Sequence, residues 1–226
     1  MKYDVITLFP EIIKSYCSSS ITKRGIDSEI INVETHNPRE YSLDKHKRVD
    51  DTPYGGGDGM VLACQPIFDC YKSIEKKDNF EFIMLTPQGE KFNQKIAIEL
   101  SKKEQLILLC GHYEGFDERI RIGLKPREIS IGDFVLTGGE LGALVLIDSV
   151  SRNLENYLGK DKCAHDDSFS EGLQGLLEYP HYTKPREYLG MKVPDVLLNG
   201  NHKEIEDFRK KQSLERTKNR RPDLLN

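Results

Sequence analysis

The chain has 226 residues, 37% hydrophobic and 31% charged, which describes a soluble globular protein with material for one large domain, or a main domain and a small one. No apolar run reaches membrane-spanning length, since LGALVLIDSV is broken by Asp148; the five cysteines (Cys17, Cys64, Cys70, Cys110, Cys163), odd in number and never spaced C-x-x-C, argue against a disulfide framework or structural zinc and point to a reducing cytoplasm. A net charge of −4 argues mildly against a nucleic-acid partner, but its distribution argues the other way. Arg209, Lys210, Lys211, Arg216, Lys218, Arg220 and Arg221 face only Glu215 near the C-terminal end, a basic run that is either a solvated helix face or a phosphate-gripping one.

Taken in order, MKYDVITLFP lacks a signal peptide's apolar stretch and reads as a first strand over Tyr3–Phe9, followed by a helix that Pro10 can begin and that runs through Cys17. Residues 18–25 form a loop or second short helix, and Ile30–Thr35 a strand. From Asn37 to Met60 the periodicity dissolves into NPREYSLDKHKRVDDTPYGGGDGM; a span of this length inside a regular domain is usually functional or disordered, and the pattern's immediate return favours function. A helix over Gln65–Lys76, a strand over Phe80–Leu85, a helix over Asn93–Lys103 and a strand over Leu106–Cys110 come next. Asp117 caps a helix carrying Ile120, Ile122 and Leu124, with Arg119 and Arg121 on its exposed side. Glu128–Leu136 is expected as the last strand, and Gly139–Asn153 as a helix apolar enough to be buried on more than one side. GKDKCAHDDSFSEG then breaks the pattern, giving a cofactor-type domain over 1–159, a linker at 160–167 and a small domain over 168–226, helical from about Lys203, where Asn201 and Glu204 have capping-box spacing.

Three of these strands end the same way. FIML runs into TPQG, LILLC into GHYEG, and ISIGDFVL into TGGE. If the strands are parallel neighbours, the loops meet at the sheet's carboxyl edge, where open α/β sheets bind ligands. No G-x-G-x-x-G follows a strand and no Gly-Lys-Ser/Thr occurs, so neither a dinucleotide nor a phosphate-loop reading holds. What remains is a set of glycines (Gly89, Gly111, Gly115, Gly132, Gly138, Gly139) that permit close backbone approach to a flat, uncharged group such as a nucleobase.

DDTPYGGGDGM, LTPQG, CGHYEGFDER, SIGDFVLTGGE, DSFSEG and PHYTKP, in that order, closely resemble the bacterial tRNA (guanine-N1)-methyltransferase family of the SPOUT class, and the likeness extends to KQSLERTKNRRPDLL. The resemblance implies an α/β parallel-sheet SPOUT domain with a deep trefoil knot, a small mainly helical C-terminal domain that binds tRNA, a homodimer, and S-adenosyl-L-methionine as methyl donor to the guanosine just 3′ of the anticodon. It places donor contacts on Leu85 and Pro87, on Gly111, Tyr113 and Glu114, and on Ile131, Gly132, Asp133, Phe134, Val135, Leu136, Gly138 and Gly139. It makes Asp167 the general base and Arg152 its partner. His46, Asp50, Pro53, Gly55, Gly59 and His181 are candidate substrate contacts, His46 and Asp50 reading equally well as a solvated polar loop, and the basic run adds Arg209, Lys210, Lys211, Arg216, Lys218 and Arg220. Mg²⁺ is a further implication at family level, with Glu114 able to position guanine or help bind a metal. The chain departs from the family pattern at His112, where many members carry Arg, and in a longer segment from Glu171 to Tyr182.

The chemistry of the residues agrees with these roles. Guanine N1 carries a proton and is a poor nucleophile, so methylation needs a base at N1 and a cation for charge developing on O6. Asp167 and Arg152 are of the required types, although a linker acid and a helix-end arginine are their ordinary readings. Likewise Tyr179, His181 and Tyr182 either stack on unpaired bases or pack a small core. Two alternatives remain beside the main reading: a related methyltransferase for another RNA position, and an RNA-binding module without catalysis, which would need the loops but not Asp167 and Arg152.

Overall fold

The computed structural model describes residues 1–159 and 167–225. Contacts divide the chain into two compact units, Met1–Gly159 and Lys160–Asn226. Cys163 and the expected linker, Asp167 excepted, lie outside the described residues.

In the first unit the elements follow as β1 (Lys2–Ile6), α1 (Pro10–Cys17), α2 (Ser20–Asp27), β2 (Asn32–His36), a two-residue ladder of β3 (Asp50–Asp51) with β4 (Val61–Leu62), α3 (Cys64–Ser73), β5 (Phe80–Lys91), α4 (Gln94–Leu100), β6 (Gln105–Leu109), α5 (Glu118–Leu124), β7 (Arg127–Ser130) and α6 (Glu140–Ser151). The main sheet has the order β2-β1-β6-β5-β7, every pairing parallel. Successive side chains alternate between faces. Tyr3, Val5, Ile83, Leu85, Leu106 and Leu108 therefore pack with α1, α4 and α6, while Ile6, Phe82, Met84, Ile107 and Leu109 pack with α3 and α5 on the other side. Helices cover both faces, which is why the strand sequences are continuously apolar rather than alternating.

The order places β5 between β6 and β7, so the ends of all three strands are neighbours. β1 ends at Ile6 rather than Phe9 and β2 begins at Asn32 rather than Ile30, and β5 and β7 depart furthest from their expected extents. In β5, Leu85 and Glu90 both face Ile129, so Thr86–Gly89 are looped out as a bulge before pairing resumes to Lys91. A Cβ on Gly89 would lie 2.4 Å from the backbone of Glu128, a space open only to glycine. The strand expected over Glu128–Leu136 stops at Ser130. Among the described residues its only ladder partner is β5, and the chain turns away through Gly132, at φ +150°, leaving Phe134 and Val135 exposed. The helix α6 buries Ala143, Leu146, Ile147 and Val150, but Leu141 and Val145 on it are exposed, as are Ile12 and Tyr16 of α1.

Beneath the sheet, fully buried Asp4 accepts from His36 Nε2 at 2.7 Å and Gln105 Nε2 at 2.6 Å, and meets Lys2 Nζ at 3.1 Å. Burial pushes its carboxyl up, but the bonds from His36, Gln105 and Lys2 outweigh burial and hold it below the usual range. With the folded value depressed, this stabilisation is complete above the unfolded carboxylate range and is lost as pH falls through the lowered value. Asp4→Ala leaves buried Gln105 without its acceptor and takes a partner from half-buried His36 and Lys2, a loss of about 1–3 kcal/mol. Thermal unfolding near neutral pH should register a drop of roughly 2–12 °C for a chain of this size, and the gap between variant and wild type should narrow in acid.

The second unit contains a hairpin of β8 (Glu187–Tyr188) and β9 (Met191–Lys192) and the helix α7 (His202–Arg220). Asn201 caps α7, its Oδ1 accepting from Glu204 N and its amide donating to Glu204 Oε1 at 2.9 Å. On the buried stripe of α7, Ser213 and Thr217 stand one turn apart. Ser213 Oγ donates to the carbonyl of Leu177 and Thr217 Oγ1 accepts from its N–H. The strand-like segment before the hairpin thus has both backbone groups of Leu177 satisfied by a helix.

Candidate active site

At the carboxyl ends of β5, β6 and β7 the loops enclose a cleft of about 390 Å³, within the range of small-molecule sites. Leu85, Pro87, Gly111, Tyr113, Glu114, Ile131, Gly132, Phe134, Val135, Leu136, Gly138 and Gly139 all line it. Asp133 of the same block does not, and its exposed carboxylate pairs with Lys91 Nζ at 2.8 Å.

Close chain-to-chain contact holds the loops together. Gly139 N donates to Gly111 O at 2.8 Å, and a bridge joins His112 to Gly138. A Cβ on Gly139 would stand 2.7 Å from Cys110 Cα and Gly111 N, so only glycine lets the third loop lie on the second. Thr7 Oγ1, just past β1, donates to Glu140 Oε1 at 2.7 Å and fixes the start of α6 behind the cleft. Tyr113 sits in the left-handed region at φ +58°, with its hydroxyl accepting from Arg39 Nη2 at 3.3 Å. Such strain in a non-glycine residue is typical of functional loops.

Thr86, Gln88, His112 and Thr137, which lie in the three expected loops without an assigned contact, also line the cleft, as do Phe116 and Arg121, to which sequence reading gives no place there. Arg121 corrects an expectation. Its side chain is only 15% exposed and turns inward rather than to solvent, donating to Glu128 at 3.0 Å, Glu118 at 3.0 Å and Thr86 Oγ1 at 3.4 Å; Ile122 takes the exposed place instead. The helix has only seven residues, too few for periodicity to fix its faces. The arginine ties α5, β7 and the Thr86–Gly89 bulge to one another. His112 carries the other signal: among the described residues its Nδ1 is the one buried side-chain polar atom without a hydrogen-bond partner, and such an atom in a cleft calls for a ligand or water.

The long unpatterned segment borders this cleft. Glu114 N donates to Met60 O at 3.0 Å and Leu62 N to Gly115 O at 2.9 Å, so the PYGGGDG loop is laid along the GHYEG loop. Gly55, Gly56, Gly57 and Gly59 in it all have positive φ, and a Cβ on Gly59 would meet the Glu114 side chain at 2.5 Å. Asp50 lies in β3 opposite Leu62, Pro53 opens the loop with its carbonyl accepting from Gly56 N at 3.3 Å, and His46 stands exposed in the turn before it.

Arg152 is the C-cap residue of α6. Asp167 belongs to the second unit, half-buried, with its carbonyl accepting from Ser170 N at 3.1 Å. In that unit His181 pairs with Glu178 at 2.7 Å, Arg209 lies over the Tyr179 ring, and Lys210 pairs with Glu206 at 2.6 Å. Lys211, Lys218 and Arg220 are exposed along α7, and Arg216 is half-buried.

The chemistry open to the cleft is narrow. Burial pushes the thiol of Cys64 up to about 11 and that of Cys70 up to about 12, and burial with Glu140 nearby puts Cys110 well above its ordinary value, so none of them is a thiolate nucleophile at neutral pH. Among the described residues Glu114 is the one carboxylate lining the cleft, by itself too few to build a Mg²⁺ site. Among the described residues the one cluster with metal-ligand spacing, Asp4 with Glu34 and His36, is elsewhere and already holds Lys2.

An open parallel sheet with a glycine-lined cleft across its strand ends is an α/β arrangement with room for a small ligand. Along residues 1–226 the chain matches the family model described as tRNA (Guanine-1)-methyltransferase TrmD, and it belongs to that family. It is 55% identical over 227 residues to the tRNA (guanine-N(1)-)-methyltransferase of Bacillus pumilus, covering all of this chain and 92% of that protein. It is 56% identical over 227 residues to the enzyme of the same name from Shouchella clausii, with 91% of that protein covered, and 52% identical over 225 residues to that of Staphylococcus haemolyticus, again with 91% covered.

Proposed function

We propose that the protein is a tRNA (guanine-N1)-methyltransferase that moves a methyl group from S-adenosylmethionine to N1 of the guanosine just 3′ of the anticodon. Family membership along the whole chain carries this reading, and the cleft supports the donor assignment. Its walls come from three loops, its volume suits a small ligand, and the buried Nδ1 of His112 lacks a hydrogen-bond partner there. When bound, the sulfonium of the donor supplies the methyl group. Asp167 takes the proton from N1, and Arg152 balances charge developing on O6; Glu114 positions the guanine. In this reading the first unit holds the donor and the second grips the RNA, with Leu141, Val145, Ile12 and Tyr16, exposed on α6 and α1, as the apolar face through which two copies pair. The trefoil knot belongs to the same reading, supported by the seating of the 131–139 loop on the loop after β6. No helix among the described residues is long and apolar enough to cross a membrane, and the free cysteines suit a cytoplasmic enzyme.

Calorimetric titration with S-adenosylmethionine followed by transfer of labelled methyl to tRNA tests the proposal. Donor binding with no transfer would identify an RNA-binding module instead, and transfer to a tRNA lacking that guanosine would identify another target position.

The basic residues of α7 should contribute affinity without base specificity, since phosphate contacts position the RNA and release counterions. Neutralising Lys210, Lys211 and Arg220 together is expected to raise KM for tRNA roughly tenfold or more at moderate salt and to flatten the salt dependence of binding by up to about three phosphate contacts. Donor affinity measured by calorimetry should not change.

A further inference from the structure

The second unit has a cavity of its own, of about 190 Å³. Tyr179, His181, Tyr182 and Arg209 surround it above Pro180 and Ile205. The Arg209 guanidinium lies 4.8 Å over the Tyr179 ring, and the His181 ring is tilted against Tyr179 with centroids 4.9 Å apart. A core-packing role would bury these groups, yet Tyr182 is 48% exposed and the His181 side chain 61% exposed. Among the described residues no carboxylate pairs with Arg209, so its donor edge stays available while its face is stacked.

Size and charge narrow the ligand. The volume is below the roughly 300–1,000 Å³ of sites for whole drug-sized molecules, leaving room for one planar ring. The lining supplies three aromatic rings and a single guanidinium rather than a cluster of cations, which suits a planar ring better than a phosphate. Such a ring sets an acceptor edge toward Arg209 and its face against the aromatic side chains.

We propose that this cavity receives one unpaired nucleobase of the RNA, a reading that rests on the protein's acting on tRNA. The base leaves its stack and packs against Tyr179, Tyr182 and His181, and Arg209 reads its edge. Arg209 thereby differs from the other basic residues of α7, which meet phosphates.

Equilibrium binding of full-length protein to a set of tRNA transcripts, each abasic at one unpaired position, tests this. Stacking of a base on aromatic side chains predicts that one abasic position weakens wild-type binding about tenfold while its neighbours do little. In Arg209→Met and His181→Ala, each checked for wild-type thermal unfolding, the same abasic RNA should bind no worse than intact RNA, because the partner of the missing base is already gone. Equal losses in wild type and variants at every position, or wild-type affinity for intact RNA in both variants, would overturn the assignment, as would a wild-type protein that binds none of the RNAs. Normal binding without methyl transfer by the wild-type protein would defeat the catalytic reading and leave this one standing.

Discussion

Asp167→Asn is expected to lower the single-turnover rate of methyl transfer, at saturating tRNA and S-adenosylmethionine, by roughly 10²- to 10⁴-fold, the range contributed by a positioned general base. The amide keeps the shape of the carboxylate and its capacity to accept a hydrogen bond, but it cannot take the N1 proton. An interaction needed mainly in the transition state lowers kcat and kcat/KM together, so KM for tRNA should stay within a few-fold of wild type. Asp167 lies at the start of the described part of the second unit, its carbonyl bonded to Ser170 N, and Asn can maintain that backbone contact. Rapid-quench measurement at several tRNA concentrations separates the outcomes. A variant that reaches the wild-type rate once tRNA is saturating would remove Asp167 from the chemical step and leave it a binding residue.

The basic triple variant on α7 should show the converse, with weaker binding and an unchanged chemical step. That contrast follows from the separation of residues in the sequence. The proposed donor loops and the basic helix belong to different compact units, Met1–Gly159 and Lys160–Asn226.

Much of this organisation could be read from residue patterns, for identifiable reasons. The strands were legible because both faces are covered by helices, which makes FIML and LILL continuously apolar; the cleft was legible because three such runs end in glycine. Asp117 as a cap was legible too, since a carboxylate accepting from the second N–H of a helix is a local interaction, seen here as Asp117 Oδ1 bonded to Arg119 N at 2.9 Å. Features set by long-range packing were not. Arg121 turns inward because Glu128, seven residues on, and Thr86, from another strand, stand within reach. The apolar run ISIGDFVL seemed to continue a strand beyond Ser130, yet without a ladder partner its second half becomes cleft wall. Nothing in the residue pattern singles out Ser213 and Thr217, and only the fold reveals that they hold Leu177.

The glycines illustrate the difference most sharply, and they carry the second large expected effect. The sequence reading assigned their freedom to close approach of a ligand, whereas Gly139 needs its missing Cβ for close approach of the chain to itself. Its φ is −80°, in the helical region, so backbone conformation would tolerate any residue. Space would not, because the obstructing atoms, Cys110 Cα and Gly111 N at 2.7 Å, are backbone and cannot rotate away. At Gly138 the nearest atoms to a Cβ are Glu140 Oε2 at 2.4 Å and His112 Nδ1 at 3.0 Å, side-chain ends that can swing. Gly139→Val should therefore separate the loops after β6 and β7, cost about 1–3 kcal/mol or more in overpacking, and lower the unfolding temperature by roughly 2–12 °C. S-adenosylmethionine affinity should fall by more than about 100-fold, since the proposed donor site is the seam between those loops. Gly138→Ala should bind the donor considerably better than Gly139→Ala. Calorimetry on the two alanine variants decides the point: equal losses would mean that the loops yield as readily at backbone as at side chains, and the cleft would then owe its shape to something other than the seating of Gly139 on Gly111.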